Sequence, residues 1–426
     1  METITTLLFG ILILLLPSNL GKHFVLSSSY VSGTLVDYLV PTIYFSDIAT
    51  VLFIASLFLF RQNIKLSFRR LSRDPAKIAL LIFTLFLTLS LLLNFSPTSF
   101  YKYSRLLFYI ILALTVSTMT FTLRRLLTLG RFLTVSVFIQ SLLGLYQFVT
   151  QHSLCGYLCF GETSLSALSY GITKDFFGSQ FLILPYGTFP HPNILGGFLA
   201  LSLPLLLYFY FVTTQRRFLL ISFLAFLVLL LTKSQAAVLV GSLGVISLLI
   251  YSCHSREGGN PVIPLNIISG SQIAASGMTG TGWLPVPVSW LSNVSFWRRL
   301  QLADVSLKMI ADKPWFGVGL NNFIPSLAVY GYSAGWPGFF QPVHNIYLLI
   351  ASESGLPALF ALLLSVLCLL LSLLRTHRYL LALTLTQLLL LGLWDHYLWT
   401  TPQGLLMLWL TLGISLSKLK KPNAPI

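Results

Sequence analysis

The sequence predicts an all-α polytopic membrane protein, and three observations lead to this fold class. Of the 426 residues, 56% are hydrophobic and only 9% are charged, whereas soluble domains average about 25% charged residues. The mean hydropathy is +0.84. Apolar runs also recur along the chain, many of them close to the roughly 20 residues that a membrane-crossing helix needs. Together these features exclude a soluble enzyme, a coiled coil and a disordered tail.

The first candidate span lies at the N-terminus. This apolar stretch lacks the basic n-region and the small-residue cleavage site of a signal peptide, so it is predicted to be a membrane anchor. A short pair at 218–232 and 235–252 is divided by Lys233-Ser234-Gln235, which predicts two short helices that meet at one membrane face. The complete set of candidate spans is 4–20, 44–60, 78–95, 103–121, 132–150, 193–213, 218–232, 235–252, 345–374, 379–397 and 403–417.

The formal charge of +15 comes from basic residues that gather in clusters between the spans. Basic loops mark the cytoplasmic side of membrane proteins, and alternating spans from a cytoplasmic N-terminus place these clusters on that side. No basic stripe carries the interleaved aromatic residues of a nucleic-acid site, so nucleic acid is not an expected partner. The clusters lie at 61–77, 124–131, 216–217, 375–378 and 418–421.

Alternation of the chain across the membrane requires, besides the span at 345–374, an odd number of further crossings between Arg256 and Arg375. A segment broken by Pro and Gly within 262–292 supplies it, giving about twelve transmembrane helices. The tract at 253–262 resembles peptides encoded by interspersed bacterial repeats and reads as an insertion. The predicted organisation is an N-terminal transmembrane bundle over 1–292, an extracytoplasmic loop over 293–343 and C-terminal transmembrane helices over 344–426.

The outer loop 293–343 contains the strongest candidate chemistry. Apolar residues recur with helical spacing after Arg299, which predicts an amphipathic helix on the membrane surface. Arginine presents a planar fork that suits phosphate oxygens, and neutral histidine is the usual proton acceptor near neutral pH. Arg299 and His344, at opposite ends of the loop, therefore suit group transfer from a phosphate-bearing substrate whose tail lies in the bilayer. The alternative is that Arg299 snorkels to the interface and His344 caps a helix.

Further candidates lie at the predicted outer face. Lys102 and Arg105 begin a span there, against the positive-inside tendency, so they are candidates for contact with an anionic headgroup or diphosphate; snorkelling is the alternative. His191 and Asn193 begin another span and either line a donor site or form a helix-start turn.

Two residue pairs suggest smaller features. Asp395-His396, near the outer end of a span, suits either a proton relay or a hydrogen-bonded interfacial pair. Cys155 and Cys159 share an outer loop and can form a disulfide if that compartment is oxidising. No spacing of Cys and His typical of a metal site occurs, so neither a metal nor another cofactor is expected.

Two ordered motifs resemble the O-antigen ligase and polymerase superfamily. The first is Gly187-Thr-Phe-Pro-His-Pro-Asn193 before a span. The second is Arg299-Leu followed by Pro-x2-Gly-x-Gly and Phe323, then His344-Asn345-x-Tyr-Leu and Glu353-x-Gly-Leu. The resemblance extends over most of the chain and is sharpest over 185–245 and 299–358.

The resemblance implies a fold like that of GT-C-type glycosyltransferases and a bacterial inner-membrane enzyme. Members of the family move a glycan from an undecaprenyl diphosphate carrier onto an acceptor hydroxyl without metal or nucleotide. It implies His344 as the general base and Arg299 as a clamp on the carrier diphosphate. Arg298 can substitute for Arg299 because the register is ambiguous by one residue. Asn345 and Glu353 are motif positions, and the predicted outer loop becomes the catalytic loop.

The chain departs from the family pattern at two places. The family usually has Ser-Arg at the outer junction of two middle spans, where this chain has Ser234-Gln235. Lys233 can supply the missing charge there, as a point charge rather than a fork; the alternative is an ordinary interfacial lysine. Ala303 replaces a tryptophan typical of the family. These differences suit an altered substrate or weakened activity.

The favoured function is a lipid-linked glycan ligase acting at the outer face of the cytoplasmic membrane on a glycolipid, glycan or protein acceptor. The family alternatives are a polysaccharide polymerase and a protein O-oligosaccharyltransferase, which differ only in the acceptor. A membrane transporter and a catalytically inactive relative are the alternatives from other classes. Transporters usually show internal repeats and ionisable residues within spans, and the sequence shows neither.

Overall fold

The computed structural model describes residues 2–59, 74–166, 171–257, 294–332 and 340–419. The predicted crossing within 262–292, part of the predicted insertion at 253–262 and most of the basic cluster at 61–77 lie outside these residues. In the N-terminal part the helices are α1 (Glu2–Leu15), α2 (Phe45–Leu59), α3 (Pro75–Leu93), α4 (Pro97–Ser117), α5 (Leu123–Thr150), α6 (Pro192–Thr213), α7 (Arg216–Leu231) and α8 (Gln235–Glu257). The C-terminal part contains α9 (Val294–Asp312), α10 (Phe323–Ser326), α11 (Ile346–Ser354), α12 (Leu356–Arg375), α13 (Tyr379–Trp394), α14 (Tyr397–Thr400) and α15 (Pro402–Leu416).

Short two-stranded sheets connect some of the helices. β1 (Gly21–His23) pairs antiparallel with β4 (Thr42–Tyr44), and between them β2 (Tyr30–Val31) pairs with β3 (Thr34–Leu35). β5 (Thr120–Phe121) lies parallel to β8 (Lys418–Leu419), and β6 (Lys174–Phe177) forms a hairpin with β7 (Gln180–Ile183). Two single-turn 3₁₀ helices, Ser27–Ser29 and Asp37–Leu39, complete the described elements.

The helices confirm a predominantly helical chain of membrane type. Among the described residues, five helices are long and apolar enough to cross a membrane: α3, α5, α6, α8 and α12. The shorter apolar helices are α1, α2, α13 and α15. The prediction of about twelve spans is larger than this set and stays a prediction.

Helix α6 lies at the centre of the helix bundle. In the most apolar part of α6, 78% of the residues are buried inside the protein. In the corresponding part of each of the other four long apolar helices, 39% or fewer of the residues are buried. α7 and α8 both pack against α6, while α12 packs against α3 and α15 packs against α4. Because α6 is packed on several sides, residues at its N-terminus are held in place.

The chain turns between α7 and α8 at the place that the sequence predicts. α7 ends at Leu231, α8 begins at Gln235, and Lys233 between them has a φ of 54°. This left-handed backbone conformation is uncommon for a residue other than glycine and is typical of a sharp turn. The predicted break at Lys233-Ser234-Gln235 is confirmed.

The predicted single span at 345–374 is wrong, because the chain breaks at Gly355 into α11 and α12. Gly355 has a φ of 87°, and a Cβ atom there would lie 2.2 Å from the Trp315 carbonyl oxygen. The backbone N–H groups of Val318 and Gly319 donate to the carbonyls of Ser352 and Glu353 at the end of α11. Only glycine fits this close approach. The close approach and the two hydrogen bonds hold the segment after α9 against α11, the helix that follows His344.

The predicted amphipathic helix after Arg299 is present as α9. Leu302, Val305 and Met309 are buried on one face, whereas Leu300 and Leu307 are exposed. The Ser306 and Ser352 hydroxyls lie 2.6 Å apart, which joins the buried face of α9 to α11. This contact holds α9, which carries Arg299, against α11.

A buried carboxylate organises the loop after α5. The Cys155–Cys159 disulfide is present there. The carboxylate of Glu162, which is fully buried, accepts hydrogen bonds from the backbone N–H groups of Leu154, Cys155 and Gly156. The side-chain amide of Gln147, on α5, donates to the same carboxylate at 2.9 Å. One side chain therefore joins the disulfide loop to a long helix.

Replacement of Glu162 with alanine is expected to destabilise the protein. The substitution removes the charged acceptor of the buried Gln147 side-chain amide and of the loop N–H groups, and a hydrogen bond to a charged group contributes about 1.5–3 kcal/mol. The midpoint of thermal unfolding in detergent should fall by several degrees. As a matched control, Asp304→Asn removes an exposed ion pair with Lys308 and should change stability by less than about 1 kcal/mol. Equal midpoints for the two variants would contradict the proposed role of Glu162.

Candidate functional site

Four helix ends converge on one cluster of polar side chains. His191 precedes α6, His344 lies one residue before the cap of α11, and Asp395 and His396 occupy the turn between α13 and α14. Segments that are far apart in the sequence therefore meet at one end of the central helix. Because helix ends carry unsatisfied backbone groups, polar residues gather there and hold one another in place.

Asp395 is the centre of this cluster. Its Oδ2 atom accepts a hydrogen bond from the Asn193 side-chain amide at 2.9 Å, and its Oδ1 atom accepts from the His396 backbone N–H at 2.7 Å. The rings of His344 and His396 lie edge to face with their centroids 5.0 Å apart. One nitrogen or oxygen atom from each of His344, Asp395 and His396 lies within 4.8 Å of the others.

Asn345 sets the position of His344 rather than entering the cluster itself. Its Oδ1 atom accepts hydrogen bonds from the backbone N–H groups of Tyr347 and Leu348, so Asn345 caps α11. Its Nδ2 atom donates to the Leu393 carbonyl oxygen at 3.2 Å, near the end of α13. The cap and this second bond together hold the His344 turn against the turn that contains Asp395.

Each neighbouring histidine ring is oriented by a hydroxyl group. His396 Nδ1 lies 2.8 Å from Thr400 Oγ1, and its ring also meets that of Tyr38 edge to face at 5.3 Å. His191 Nε2 lies 3.1 Å from Thr173 Oγ1, while its Nδ1 accepts from the Asn193 backbone N–H. His344 differs, because its buried Nδ1 atom has no hydrogen-bond partner among the described residues.

The cluster holds its carboxylate charged and its imidazoles neutral. Burial lowers the pKa of His344 to about 4; nearby Asp395 opposes this shift, and the positive charge of Arg299 adds to it. Burial likewise lowers the pKa of His396 to about 3. Burial raises the pKa of Asp395. The nearby His396 and His344 and the hydrogen bond from Asn193 lower it by more, so that the pKa is about 2.

Arg299, from α9, acts electrostatically on the same cluster. Its charge lowers the pKa values of His191, His344 and His396, so the guanidinium lies within electrostatic reach of all three rings. Its buried Nε atom has no hydrogen-bond partner among the described residues. The two residues that the sequence singles out first, Arg299 and His344, are therefore brought together. Arg298, the neighbour in the ambiguous register, is exposed and acts electrostatically on Tyr332.

Lys233 lies beside the β6–β7 hairpin. Its ammonium group donates to the Phe176 carbonyl oxygen at 3.2 Å, lies 3.8 Å from Asp175 Oδ2 and sits 4.4 Å from the centre of the Phe177 ring. Lys233 lines a cavity of about 580 Å³ together with Gln235 and the apolar side chains of Leu230, Val238 and Leu239. Asp175 and Ser242 complete its lining, which is therefore part polar and part aliphatic.

The other predicted site residues have partners inside the protein. Lys102, which is 5% exposed, donates to the Trp399 carbonyl oxygen. Glu353, which is 4% exposed, accepts from the Trp399 indole N–H at 3.3 Å. Arg105 forms an ion pair with Asp47 at 3.0 Å. These contacts join α4 to α2 and α14, and α11 to α14, so Lys102 and Arg105 are already partnered within the protein.

The sequence does not associate Asp395 and His396 with His344, although it marks them as a polar pair at the end of an apolar span. Thr173 and Tyr38, which contact the histidine rings, carry no sequence signal. The one available signal is the Asp-His pair itself, since ionisable residues beside a membrane span are often functional.

A comparison with known families gives one match. Residues 193–363 match the family model described as O-antigen ligase. The matched segment includes Lys233, Arg299, His344 and Glu353, whereas Asp395 and His396 lie beyond it. No curated protein matches the chain significantly.

Proposed function

We propose that this chain, whose residues 193–363 match the O-antigen ligase family, transfers a glycan from an undecaprenyl diphosphate carrier to an acceptor hydroxyl. The reaction takes place at the extracytoplasmic face of the bacterial inner membrane. The observation that supports this function best is that α9, which carries Arg299, packs against α11, which His344 precedes, and that the Arg299 charge acts on the His344 ring. A phosphate-binding group and a proton acceptor are the two parts that such a transfer requires.

The proposed step is a single displacement at the anomeric carbon of the donor sugar. The acceptor hydroxyl loses its proton to the His344 imidazole, and the acceptor oxygen forms a bond to the anomeric carbon. The bond between that carbon and the diphosphate oxygen breaks, and its electron pair stays on the diphosphate. Undecaprenyl diphosphate leaves, and the guanidinium of Arg299 stabilises the charge that develops on it.

Asp395 stabilises the positive charge that His344 acquires in this step. The carboxylate acts on the pKa of His344 in the upward direction, which favours the protonated imidazole that forms as the acceptor loses its proton. The bonds from Asn193 and from the His396 backbone hold the carboxylate in place. Because the carboxylate is already held in position, these groups need little reorganisation as the charge on His344 develops.

Lys233 and Gln235 form the proposed second contact with the donor. The cavity that they line has an aliphatic wall of Leu230, Val238 and Leu239, which suits the hydrocarbon beside a diphosphate headgroup. Lys233 supplies a point charge where the family usually has arginine, and it already contacts Asp175. Lys102 and Arg105 have partners within the protein, so we assign them to holding α4 in position.

Ligase, polymerase and protein O-oligosaccharyltransferase share this chemistry and differ in the hydroxyl that attacks. The test is an assay with purified protein, an undecaprenyl diphosphate-linked glycan and a panel of glycolipid, glycan and peptide acceptors. We expect equimolar release of undecaprenyl diphosphate and glycosylated product with one acceptor class. No product with any acceptor, together with donor movement across reconstituted vesicles, would contradict the proposal and favour a transporter.

A further inference from the structure

We propose that His344, Asp395 and His396 bind a divalent transition-metal ion such as Zn²⁺, and that the bound ion inhibits the enzyme by occupying His344. The binding site itself follows from the cluster geometry. The inhibition rests on the proposed function, in which His344 accepts a proton from the acceptor.

The donor set fits this class of ion. Two imidazoles and one carboxylate provide one ligand atom each, all within 4.8 Å of one another. Zinc in proteins is bound by histidine nitrogen and carboxylate oxygen at about 2.0–2.2 Å, and three protein ligands leave a fourth position for water. Small rotations of the side chains therefore suffice to bring the three atoms around one ion.

The neighbouring residues orient these ligands as the outer contacts of metal sites do. Thr400 Oγ1 lies 2.8 Å from His396 Nδ1, which leaves the Nε2 atom of that ring for a metal. Asn193 donates to Asp395 Oδ2 at 2.9 Å, and Asn345 caps the helix that follows His344. His344 Nδ1 is buried without a hydrogen-bond partner among the described residues, so the ring is free to use it.

The charges that face the cluster set the affinity. Asp395 supplies a negative charge, His191 is a third nearby imidazole, and Arg299 supplies a positive charge from α9. The guanidinium repels a divalent cation, so the site should bind Zn²⁺ less tightly than it would without Arg299. The same guanidinium attracts the donor diphosphate. Arg299 therefore weakens the binding of a metal ion and strengthens the binding of the donor.

The sequence gives no sign of this site and leads instead to the expectation that no metal binds. The ligands come from two segments separated by α11, α12 and α13. Spacing motifs detect only ligands that are close together along the chain. The juxtaposition of His344 with the Asp395-His396 turn is a property of the fold alone.

Zinc binding to the protein without an affinity tag, in detergent and without donor, tests the site through competition with a chromogenic chelator. We expect one Zn²⁺ per wild-type chain. Affinity should fall by about tenfold or more in His396→Ala and in Asp395→Asn, because each removes a ligand and the loss of an outer contact alone typically costs about 10–100-fold. His377→Ala removes an exposed histidine elsewhere and should leave binding unchanged. Arg299→Gln should bind Zn²⁺ more tightly, an effect that general misfolding does not produce.

The result that would overturn the site is equal zinc affinity in the wild type, His396→Ala, Asp395→Asn and Arg299→Gln. Inhibition is measured separately, as the loss of carrier release when Zn²⁺ is added and its recovery with a chelator. Full zinc occupancy with unchanged transfer would contradict inhibition alone. Zinc binding in a protein that transfers no glycan would contradict the proposed function and leave the metal site standing.

Discussion

His344→Ala is expected to abolish acceptor-dependent release of undecaprenyl diphosphate while the protein remains folded in detergent. General-base catalysis contributes about 10²–10⁴-fold to a rate, and His344 is the base in the proposed displacement. Since donor binding depends on Arg299 rather than on His344, the apparent KM for the donor should change little and kcat should carry the loss.

The matched control for this variant is His377→Ala. His377 is exposed and contacts the Tyr379 hydroxyl at 2.7 Å, before the first residue of α13, whereas Asp395 follows the last residue of that helix. We expect it to retain wild-type activity. Normal turnover by His344→Ala, with the same unfolding midpoint as the wild type, would show that another group accepts the proton.

Arg299→Ala should produce the second largest loss. A charge that stabilises the leaving group is typically worth about 10²–10³-fold in rate. Because the same guanidinium also binds the diphosphate before reaction, this substitution should raise the donor KM as well as lower kcat. Arg299→Lys should recover only part of the activity, since an ammonium group lacks the planar fork that binds two phosphate oxygens.

Arg298→Ala is the matched control, because Arg298 is the adjacent residue and its side chain is exposed. It resolves the one-residue ambiguity in the family register. We expect a small effect, limited to its electrostatic action on Tyr332. A larger loss in Arg298→Ala than in Arg299→Ala would transfer the diphosphate contact to the neighbouring residue.

The helical membrane fold could be predicted from the sequence because its signals are local. Apolar runs mark the helices, and the Lys233-Ser234-Gln235 interruption marks the turn between α7 and α8. The break at Gly355 could not be predicted in this way, because it depends on the close approach of the Trp315 carbonyl from a separate segment.

The candidate site could be predicted only in part, for the same reason. Arg299 and His344 stand out through residue type and through the family resemblance. Their shared neighbours, Asp395 and His396, come from a later span and carry no spacing that connects them to His344. The internal partners of Lys102 and Glu353 are likewise contacts between distant helices. Residue type shows which chemistry a position can perform, and packing decides which positions act together.

A double-substitution cycle with His344→Ala and Arg299→Ala tests most directly whether the two residues act in one site on one reaction. The rate of carrier release is measured for the wild type, both single variants and the double variant. Substitutions of residues that act as a unit have strongly non-additive effects on rate. We therefore predict that the rate of the double variant lies within about tenfold of the rate of the slower single variant. Fully multiplicative losses would mean that Arg299 and His344 act independently, which would contradict the account.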